Sequence, residues 1–487
     1  MFVFVYQESA NGSAARVLPE NETRVLPKYI YFNELVSAFG DRMWQFAIPI
    51  LFMDVWPTSL LPTILYTFVL NLAMFLLMPI AGSWIDSMSR LPLMVTTIVV
   101  DNVSVIASCF LLKATVASKN QHLLWSIFSA IVLISIPGQL AVNVGRVALE
   151  KDWVPVVCEG DSKSLTVLNS RLKIIDLSCK FIAPMIFGII LQLMGPDVEK
   201  RVSWGSNIVI MYNLLMALPE GICIYRVYFG CHRLATAPKK KKLAGNPLWK
   251  FYDGWRVFVS HPICLSCLSF SILFTTVLSP GSLLIAFLKW VGVMEGLLGA
   301  SIGFGALCGL LGASLFPYMH EDKNGNERIS LSTIGLSSVW LWFLHLFPIA
   351  VVLIIRQSNI TTLPPLVTGT VILFFVCVGR TWLWVFDLAA NQLLQERVSE
   401  GIRGRVSGVQ SGNNQLFTVV IYALGLIFHR PDEFYILCYA SIFSVLLSAI
   451  LFTVWYIRYS DISKFTEAVP LSMNTTPEVM VLNDKSA

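Results

Sequence analysis

Residues 61–90 read LPTILYTFVLNLAMFLLMPIAGSWIDSMSR, and this stretch indicates the fold class of the whole chain. No charged residue occurs in it before Asp86, so its apolar part is long enough to cross a bilayer, which takes roughly 20 residues as a helix. Gly82, Asp86 and Arg90 follow with the spacing G-x-x-x-D-x-x-x-R. We interpret these charges as a latch that holds helix ends together at the membrane surface.

The rest of the chain repeats this pattern of apolar runs. Among its 487 residues, 55% are hydrophobic and only 13% are charged, and the mean hydropathy is +0.68, which is too apolar for a soluble protein of this size. The runs lie near residues 30–55, 60–86, 92–115, 123–146, 165–194, 205–229, 262–290, 296–318, 330–355, 365–394, 406–428 and 433–458. The sequence therefore predicts an all-α membrane protein with about twelve transmembrane helices.

A polar stretch near residues 230–250 divides the predicted spans into two sets of six. We therefore predict two six-helix halves, at 30–229 and 262–458, joined by a cytoplasmic linker at 230–261. Cytoplasmic tails are predicted at 1–29 and 459–487. This organisation, together with the latch motif after the second span, is typical of the major facilitator fold.

Lysine and arginine predict which side of the membrane each loop faces. They are more frequent on the side of the two termini, for example in the segment with Arg146 and Lys151 and in the run from Lys239 to Lys242. Short cytoplasmic loops are enriched in these residues, so both termini are predicted to be cytoplasmic. The net charge of +5 is small for this length and its clearest cluster fits anionic lipid, so we expect the bilayer, and no nucleic acid, as a partner.

Motifs of enzymes and of ATP-driven pumps are absent from the sequence. It contains no G-x-x-x-x-G-K-[ST] phosphate loop, and nothing in it resembles a nucleophile elbow or a catalytic triad. We therefore predict that the protein is not an enzyme, assign no catalytic residue and expect no bound cofactor. A secondary transporter is the class that we favour.

Carboxylate and amide side chains occur inside the predicted first, third and sixth spans. A carboxylate near the bilayer centre costs roughly 2.5–3.5 kcal/mol, so those that persist usually face a polar cavity or a partner. In the first span, Ser37, Asp41 and Gln45 are spaced four residues apart and share one helix face. The other polar side chains are Asp101, Asn102, Asn213 and Glu220.

Two interpretations of these intramembrane groups remain open. Oxygen donors of this kind are what hard divalent cations prefer, so the cluster favours a cation site. Alternatively, the same side chains make hydrogen bonds between helices, or pair with Arg42, Lys173 or Arg380, without any substrate. We adopt the cation site because several acids and amides occur in the same half of the chain.

Several short segments, in this order, resemble the ferroportin family of iron exporters. They are GDRMW at 40–44, VDNVSV at 100–105, DW at 152–153, ID at 175–176, DGW at 253–255, FDL at 386–388, QLLQE at 392–396 and GVQ at 408–410. The resemblance extends from about residue 30 to 458. It implies a major facilitator fold that exports iron(II), as substrate and not cofactor, by alternating access at the plasma membrane, with protons or calcium as coupling or activating ions.

The resemblance also implies roles for individual residues. It places the metal site on Asp41 with contributions from spans three and six, and Ser37, Gln45 and Ser282 are further candidates for the lining. The residues implied at the metal site are Asp41, Asp101, Asn102, Asn213 and Glu220. Those implied at a cytoplasmic gate between the halves are Asp86, Arg90, Asp152, Asn169, Asp176 and Arg380. The alternative for the second set is that it only stabilises helix ends.

This sequence departs from the family pattern at several positions. Asp101 stands where the vertebrate member has glutamine, and Gln45 stands where it has histidine. The cysteine and histidine of the family's second metal site align with about Ser282 and Ile421, so we expect neither that site nor regulation by hepcidin, which is recognised through the cysteine. The alternatives are export of another divalent metal (manganese, cobalt or zinc) or of a small organic solute on the same fold, or a receptor that does not transport.

Overall fold

The computed structural model describes most of the chain as helix. The described residues are 26–56, 61–116, 120–159, 161–195, 197–236, 246–279, 295–321, 327–357, 364–428 and 433–470, with the single positions 284, 287, 288, 291 and 293. Within them, the regular secondary structure is helical apart from one isolated bridge between Glu321 and Glu327. Nearly all of the predicted N-terminal tail, most of the C-terminal tail, part of the linker and Ser282 lie outside the described residues.

Six long helices form the N-terminal half. They are α1 (Leu26–Val55), α2 (Leu61–Ser87), α3 (Arg90–Val116), α4 (Gln121–Val147), α5 (Ser162–Leu193) and α6 (Val198–Gly230). Three of them begin at capping side chains: Asn120, Asp161 and Asp197 accept hydrogen bonds from backbone N–H groups of the first turns of α4, α5 and α6. Helix α4 continues as a π-helix, Ala148–Trp153, and one further α-turn, Val154–Val157.

The remaining helices belong to the linker and the C-terminal half. They are α7 (His232–Thr236), α8 (Pro247–Ser260), α9 (Cys264–Ile272), α10 (Glu295–His320), α11 (Leu331–Gln357), α12 (Pro365–Arg397), α13 (Glu400–Ile427), α14 (Phe434–Tyr459) and α15 (Ile462–Ala468). Apolar side chains of α9 to α14 form one large core, which contains the fully buried Phe386, Phe452 and Trp455. The N-terminal half has two smaller apolar cores, one toward each end of its helices.

By length and hydropathy, eight of the described helices are able to cross a membrane: α2 to α6, α11, α12 and α14. Helices α8 and α9 meet at an angle of 104° and count as a ninth if the pair is one broken span. Helices α1, α10 and α13 have 30, 26 and 28 residues and, at 1.5 Å per residue, are also longer than the roughly 30 Å hydrocarbon core. Helices α1 and α13 are less apolar because they carry charged side chains, some of them largely buried in the bundle, such as Asp41, Arg42 and Arg403.

The predicted span at 262–290 is not one continuous helix. Helix α9 ends at Ile272, and residues 275–279 have no helical assignment before Pro280. Pro280 explains the break in part, because proline disfavours helix in the residues before it. Two serines of the neighbouring helix α14 satisfy the backbone groups that the break leaves without helical partners. Ser441 Oγ accepts from Val277 N at 2.9 Å, and Ser444 Oγ donates to Thr275 O at 3.0 Å. Irregular backbone is tolerated at membrane depth where protein buries it in this way.

Glycines bring the two halves into direct backbone contact between α2 and α13. A Cβ atom on Gly408 would lie 2.6 Å from Met78 O and 2.8 Å from Gly82 Cα. Beside this contact, the Asp86 carboxylate accepts hydrogen bonds from Gly404 N at 2.7 Å and Arg405 N at 2.8 Å. The sequence motif that begins at Gly82 therefore joins the halves at one end of the bundle, which we call the latch end.

The close approach at Gly408 predicts a specific sensitivity. Gly408→Ala should lower the thermal stability of the purified protein, because the added methyl group meets backbone atoms that cannot move independently; overpacking of this kind costs about 1–3 kcal/mol. Gly221→Ala in α6 is the matched control, since nothing lies within 4 Å of the Cβ that it would add. Thermal unfolding followed by tryptophan fluorescence compares the two. An unchanged melting temperature for Gly408→Ala would contradict the described contact.

Candidate functional site

A polar cleft of about 660 Å³ lies within the N-terminal half, between α1, α2, α3, α4 and α6. Every predicted site residue of this half contributes to its wall. They are Ser37, Asp41 and Gln45 from α1, Asp101 and Asn102 from α3, and Asn213 and Glu220 from α6. The structure thus places three carboxylates and three amides, from three helices far apart in the sequence, in one cavity.

Helix geometry explains how these side chains meet. The four-residue spacing on α1 and the seven-residue spacing of Asn213 and Glu220 on α6 direct each set to one helix face. Asn102 Nδ2 donates to Ile98 O and Asn213 Nδ2 donates to Val209 O, both at 2.8 Å. Because these bonds use the amide N–H groups, the amide oxygens remain as acceptors toward the cleft.

The donors that line this cleft are oxygen atoms. Besides the carboxylates and amides, the wall includes Gln139 and the hydroxyls of Tyr66, Ser104, Ser108 and Ser135, and no histidine or cysteine is among its described lining residues. Within the described chain, no three His, Cys, Asp or Glu side chains are close enough together to hold a metal ion. The cleft is therefore an acidic, oxygen-rich cavity and not a preformed ligand cage.

Asp41 is the only one of the three cleft carboxylates with an ion pair among the described residues. Its Oδ2 lies 3.2 Å from Nη2 of Arg146 on α4. The neighbouring Arg42 instead binds Asp176, at 2.5 Å from Nη2, and Gln45, at 2.8 Å from Nη1. The sequence analysis placed Arg146 at the end of the apolar run 123–146 and counted it with a cytoplasmic segment; in the structure α4 extends to Val147, and Arg146 lies beside Asp41.

A second, larger cavity of about 1370 Å³ lies between the two halves. Charged side chains from both halves line it: Arg42, Arg146, Glu150, Lys151, Lys173, Asp176, Lys180 and Asp387. Lys173 on α5 pairs with Asp387 on α12 at 2.8 Å, which connects the halves across this cavity.

Three of the six predicted gate residues, Asp86, Arg90 and Asn169, bind the C-terminal half at the latch end, and Asp152 joins them through Arg90. Arg90 binds both carboxylate oxygens of Asp152, at 2.8 and 2.9 Å, and also pairs with Glu400 of α13. Asp86 binds the backbone of α13, as described above, and Asn169 Nδ2 donates to Gln395 Oε1 of α12 at 2.5 Å. The latch is thus a network of buried charges and amides.

The two other predicted gate residues lie elsewhere. Asp176 pairs with Arg42 inside its own half. The guanidinium of Arg380 lies over the ring of Trp384, 5.7 Å from its centroid, and no bond from Arg380 to the N-terminal half is found in the described residues. Ile421, which the sequence resemblance led us to expect near the position of the histidine of the family's second site, is buried in the apolar core of the C-terminal half.

Sequence reasoning missed several latch residues on α12. Asp387, Asn391 and Gln395 are spaced four residues apart and face the N-terminal half, where they bind Lys173, Lys151 and Asn169. The Lys151 Nζ to Asn391 Oδ1 distance is 2.6 Å. The spacing rule that identified the polar face of α1 applies equally to this stretch and would have found it.

Comparisons with known proteins agree with this architecture. The family model described as Ferroportin1 (FPN1) matches residues 25–445. Solute carrier family 40 member 1 of Oryza sativa subsp. japonica is 28% identical over 453 residues, which cover 89% of this chain and 91% of that protein.

Two solved structures of a bacterial homologue of the iron transporter ferroportin have similar folds. The outward-facing state has a TM-score of 0.76 at 23% identity and covers 89% of this chain and 100% of that chain. The inward-facing state has a TM-score of 0.60 at 23% identity and covers 88% and 98%. The predicted fold class is confirmed: the chain has an all-α major facilitator fold.

The ion pair between Lys173 and Asp387 predicts a large effect on stability. Asp387→Asn should lower the melting temperature, because it leaves the mostly buried Lys173 ammonium without its counter-charge, a change that costs about 3–5 kcal/mol in buried pairs. The matched control is Lys163→Gln, which removes another α5 cation paired across the halves, to Glu321, but at 3.8 Å and with Lys163 53% exposed. Equal melting temperatures for the two variants would show that the Lys173 pair contributes no more than a surface contact.

Proposed function

The chain belongs to the ferroportin family, and on this premise we propose that it exports iron(II) across a cell membrane by alternating access between its two halves. Relatives from several vertebrates are named ferroportin, and one bacterial homologue of that iron transporter was solved with soaked iron. Structures of the homologue in outward-facing and inward-facing states supply the two conformations that this mechanism needs. Iron is the transported substrate in this proposal, and no cofactor takes part.

The acidic cleft of the N-terminal half carries the proposal. Three carboxylates, Asp41, Asp101 and Glu220, line a cavity inside a membrane bundle, where an uncompensated negative charge is costly. A divalent cation supplies the missing positive charge, and the amide oxygens of Asn102 and Asn213 complete an oxygen donor set. A scaffold protein that binds no ion has no function for costly carboxylates inside the membrane bundle, so the cleft argues against that alternative.

The latch supports the conformational part of the proposal. In this structure the halves are joined at the latch end, and we take this joined end to be the closed side for cargo in the cleft. We assign this end to the cytoplasm, with both termini on the same side and the plasma membrane as the site of the protein. Export then requires a second state in which Asp86, Arg90 and Lys173 release their partners in the C-terminal half. In this mechanism the protein switches between a state with the latch contacts formed and a state with them released.

The residues present also bear on the coupling ions, on a second metal site and on regulation. Protons or calcium are the proposed coupling or activating ions, since carboxylates accept protons and oxygen donors suit calcium. A second metal site in the C-terminal half is not part of the proposal, because apolar Ile421 stands at the position of the histidine ligand. The family's hepcidin-binding cysteine aligns with Ser282, so regulation by hepcidin is not proposed either.

A second candidate cargo is another divalent metal, manganese first. The observation that favours it is the lining of the cleft, in which Gln45 replaces an imidazole and every described polar lining side chain other than that of Trp44 carries oxygen. Imidazole selects iron, cobalt and zinc over harder ions, whereas carboxylate and amide oxygens suit manganese, magnesium and calcium. Cobalt, zinc and small organic solutes are the remaining alternatives on the same fold.

Asp41→Ala is predicted to abolish efflux of iron-55 from cells that express the protein, since it removes the carboxylate at the centre of the cleft. The matched control is Asp54→Ala on the same helix, which removes a carboxylate that pairs with Arg201 at 3.0 Å and does not line the cleft. Surface expression of both variants is measured in parallel. Wild-type efflux from a correctly expressed Asp41→Ala variant would exclude the cleft as the iron site. If the wild type exports manganese but not iron, the second candidate replaces the first.

Gln45→His is predicted to shift metal preference toward iron. The imidazole adds a nitrogen ligand next to Asp41, so cobalt and zinc should compete better with iron-55 efflux, and calcium and manganese worse, than in the wild type. Gln121→His, at the exposed start of α4, provides the control for an added histidine outside the cleft. Identical competition profiles for all three proteins would mean that position 45 does not contact the cargo.

A further inference from the structure

Arg146 lies at the boundary between the acidic cleft and the inter-half cavity. The part of the cleft nearer the latch end, about 520 Å³, is lined by Asp41, Asp101, Glu220 and Arg146. Arg146 also lines the inter-half cavity, whereas Asp41 does not. The Asp41 side chain is 10% exposed and that of Arg146 is 34% exposed. The guanidinium thus stands between the cleft carboxylate and the open space between the halves.

We propose that Arg146 is an internal cation that occupies Asp41 when the cleft is empty and that the cargo must displace. This inference rests on the proposed function, since it takes a divalent metal as the cargo. The carboxylate oxygen of Asp41 that a metal ion would use is the one that accepts the hydrogen bond from Arg146 Nη2. Two cations cannot share that oxygen at close range, because their repulsion adds to the loss of the bond.

A second acid is positioned to receive Arg146 when it leaves Asp41. Glu150 follows Arg146 by four residues, and Glu150, Asp176 and Glu34 all lie within electrostatic range of its guanidinium. Asp176 is already bound by Arg42. The Glu150 side chain makes no hydrogen bond or ion pair with any described residue, and only its backbone carbonyl is engaged, by Gln395 Nε2 at 2.6 Å. Arg146 can therefore exchange Asp41 for Glu150 without becoming an unpaired charge.

The exchange takes place next to the latch. The π-helix Ala148–Trp153 begins two residues after Arg146, and π-helical turns frequently mark functional sites. This short segment carries four contacts with the latch: Glu150 O accepts from Gln395, Lys151 Nζ binds Asn391, Lys151 O accepts from Arg403, and Asp152 binds Arg90. A guanidinium that moves from Asp41 to Glu150 changes the charge beside this segment. Arg146 thereby links occupation of the cleft to the state of the latch.

The test uses the purified full-length protein, with manganese(II) or cobalt(II) binding followed by calorimetry and transport measured in proteoliposomes. Arg146→Gln should bind the metal about tenfold more tightly, because the competing cation is gone. It should also show a lower KM and a maximal rate reduced about tenfold, since metal binding no longer moves a charge at the latch. Arg146→Lys keeps a cation and should restore most of the wild-type affinity and rate. Glu150→Gln should weaken metal binding, because Arg146 loses its alternative partner.

Arg201→Gln is the matched control. It removes another arginine that pairs with an acid of α1, at 3.0 Å from Asp54, outside the cleft, and it should leave metal affinity unchanged. Unchanged or weaker metal binding in Arg146→Gln, with thermal unfolding like that of Arg201→Gln, would overturn the proposal. Tighter binding with an unchanged maximal rate would overturn the link to the latch. A wild-type protein that neither binds nor transports a divalent metal would instead overturn the proposed function, and this inference with it.

Discussion

Inside a bilayer, every charged or hydrogen-bonding group must find its partner within the protein, because the hydrocarbon supplies none. This constraint shapes the whole molecule. The outer faces of the helices expose apolar side chains such as Leu214, Leu215 and Leu218 of α6, which lipid can cover. The charges lie inside the bundle, either in ion pairs or in a cavity. The position of a charged side chain inside the bundle therefore indicates either a polar contact between helices or a cavity that can bind an ion.

The two kinds of interior charge have different distributions. Pairs that join the halves, such as Lys173 with Asp387 and Arg90 with Glu400, lie across the inter-half cavity and at the latch end. The surplus of acid lies within the N-terminal half, in the cleft that contains Asp101 and Glu220. Contacts between halves have to break when the halves move, whereas a site within one half keeps its geometry. In the proposed mechanism, this separation lets the N-terminal half hold a cation while the latch opens and closes.

The donor set of the cleft also has consequences for selectivity. Carboxylate, amide and hydroxyl oxygens suit hard divalent cations such as calcium, magnesium and manganese, and they lack the softness by which imidazole or thiolate ligands select other metals. Only one of the three cleft carboxylates, that of Asp41, has an arginine partner among the described residues. Under the proposed function, the local balance of charge, and not a preformed cage of ligands, would determine what this cleft binds.

The sequence by itself determined the fold class, the division into two halves and the polar face of α1, because apolar run length and four-residue spacing depend only on the bilayer thickness and on helix geometry. It also placed Asp41, Asp101, Asn213 and Glu220 in one site, through the resemblance to a known family. Only the tertiary structure decided how the charges pair. Arg146 reaches Asp41, Arg42 turns to Asp176, and Asp387 meets Lys173, because helices far apart in the chain pack side by side. Pairing depends on distances between helices, and no local pattern of residues encodes those distances.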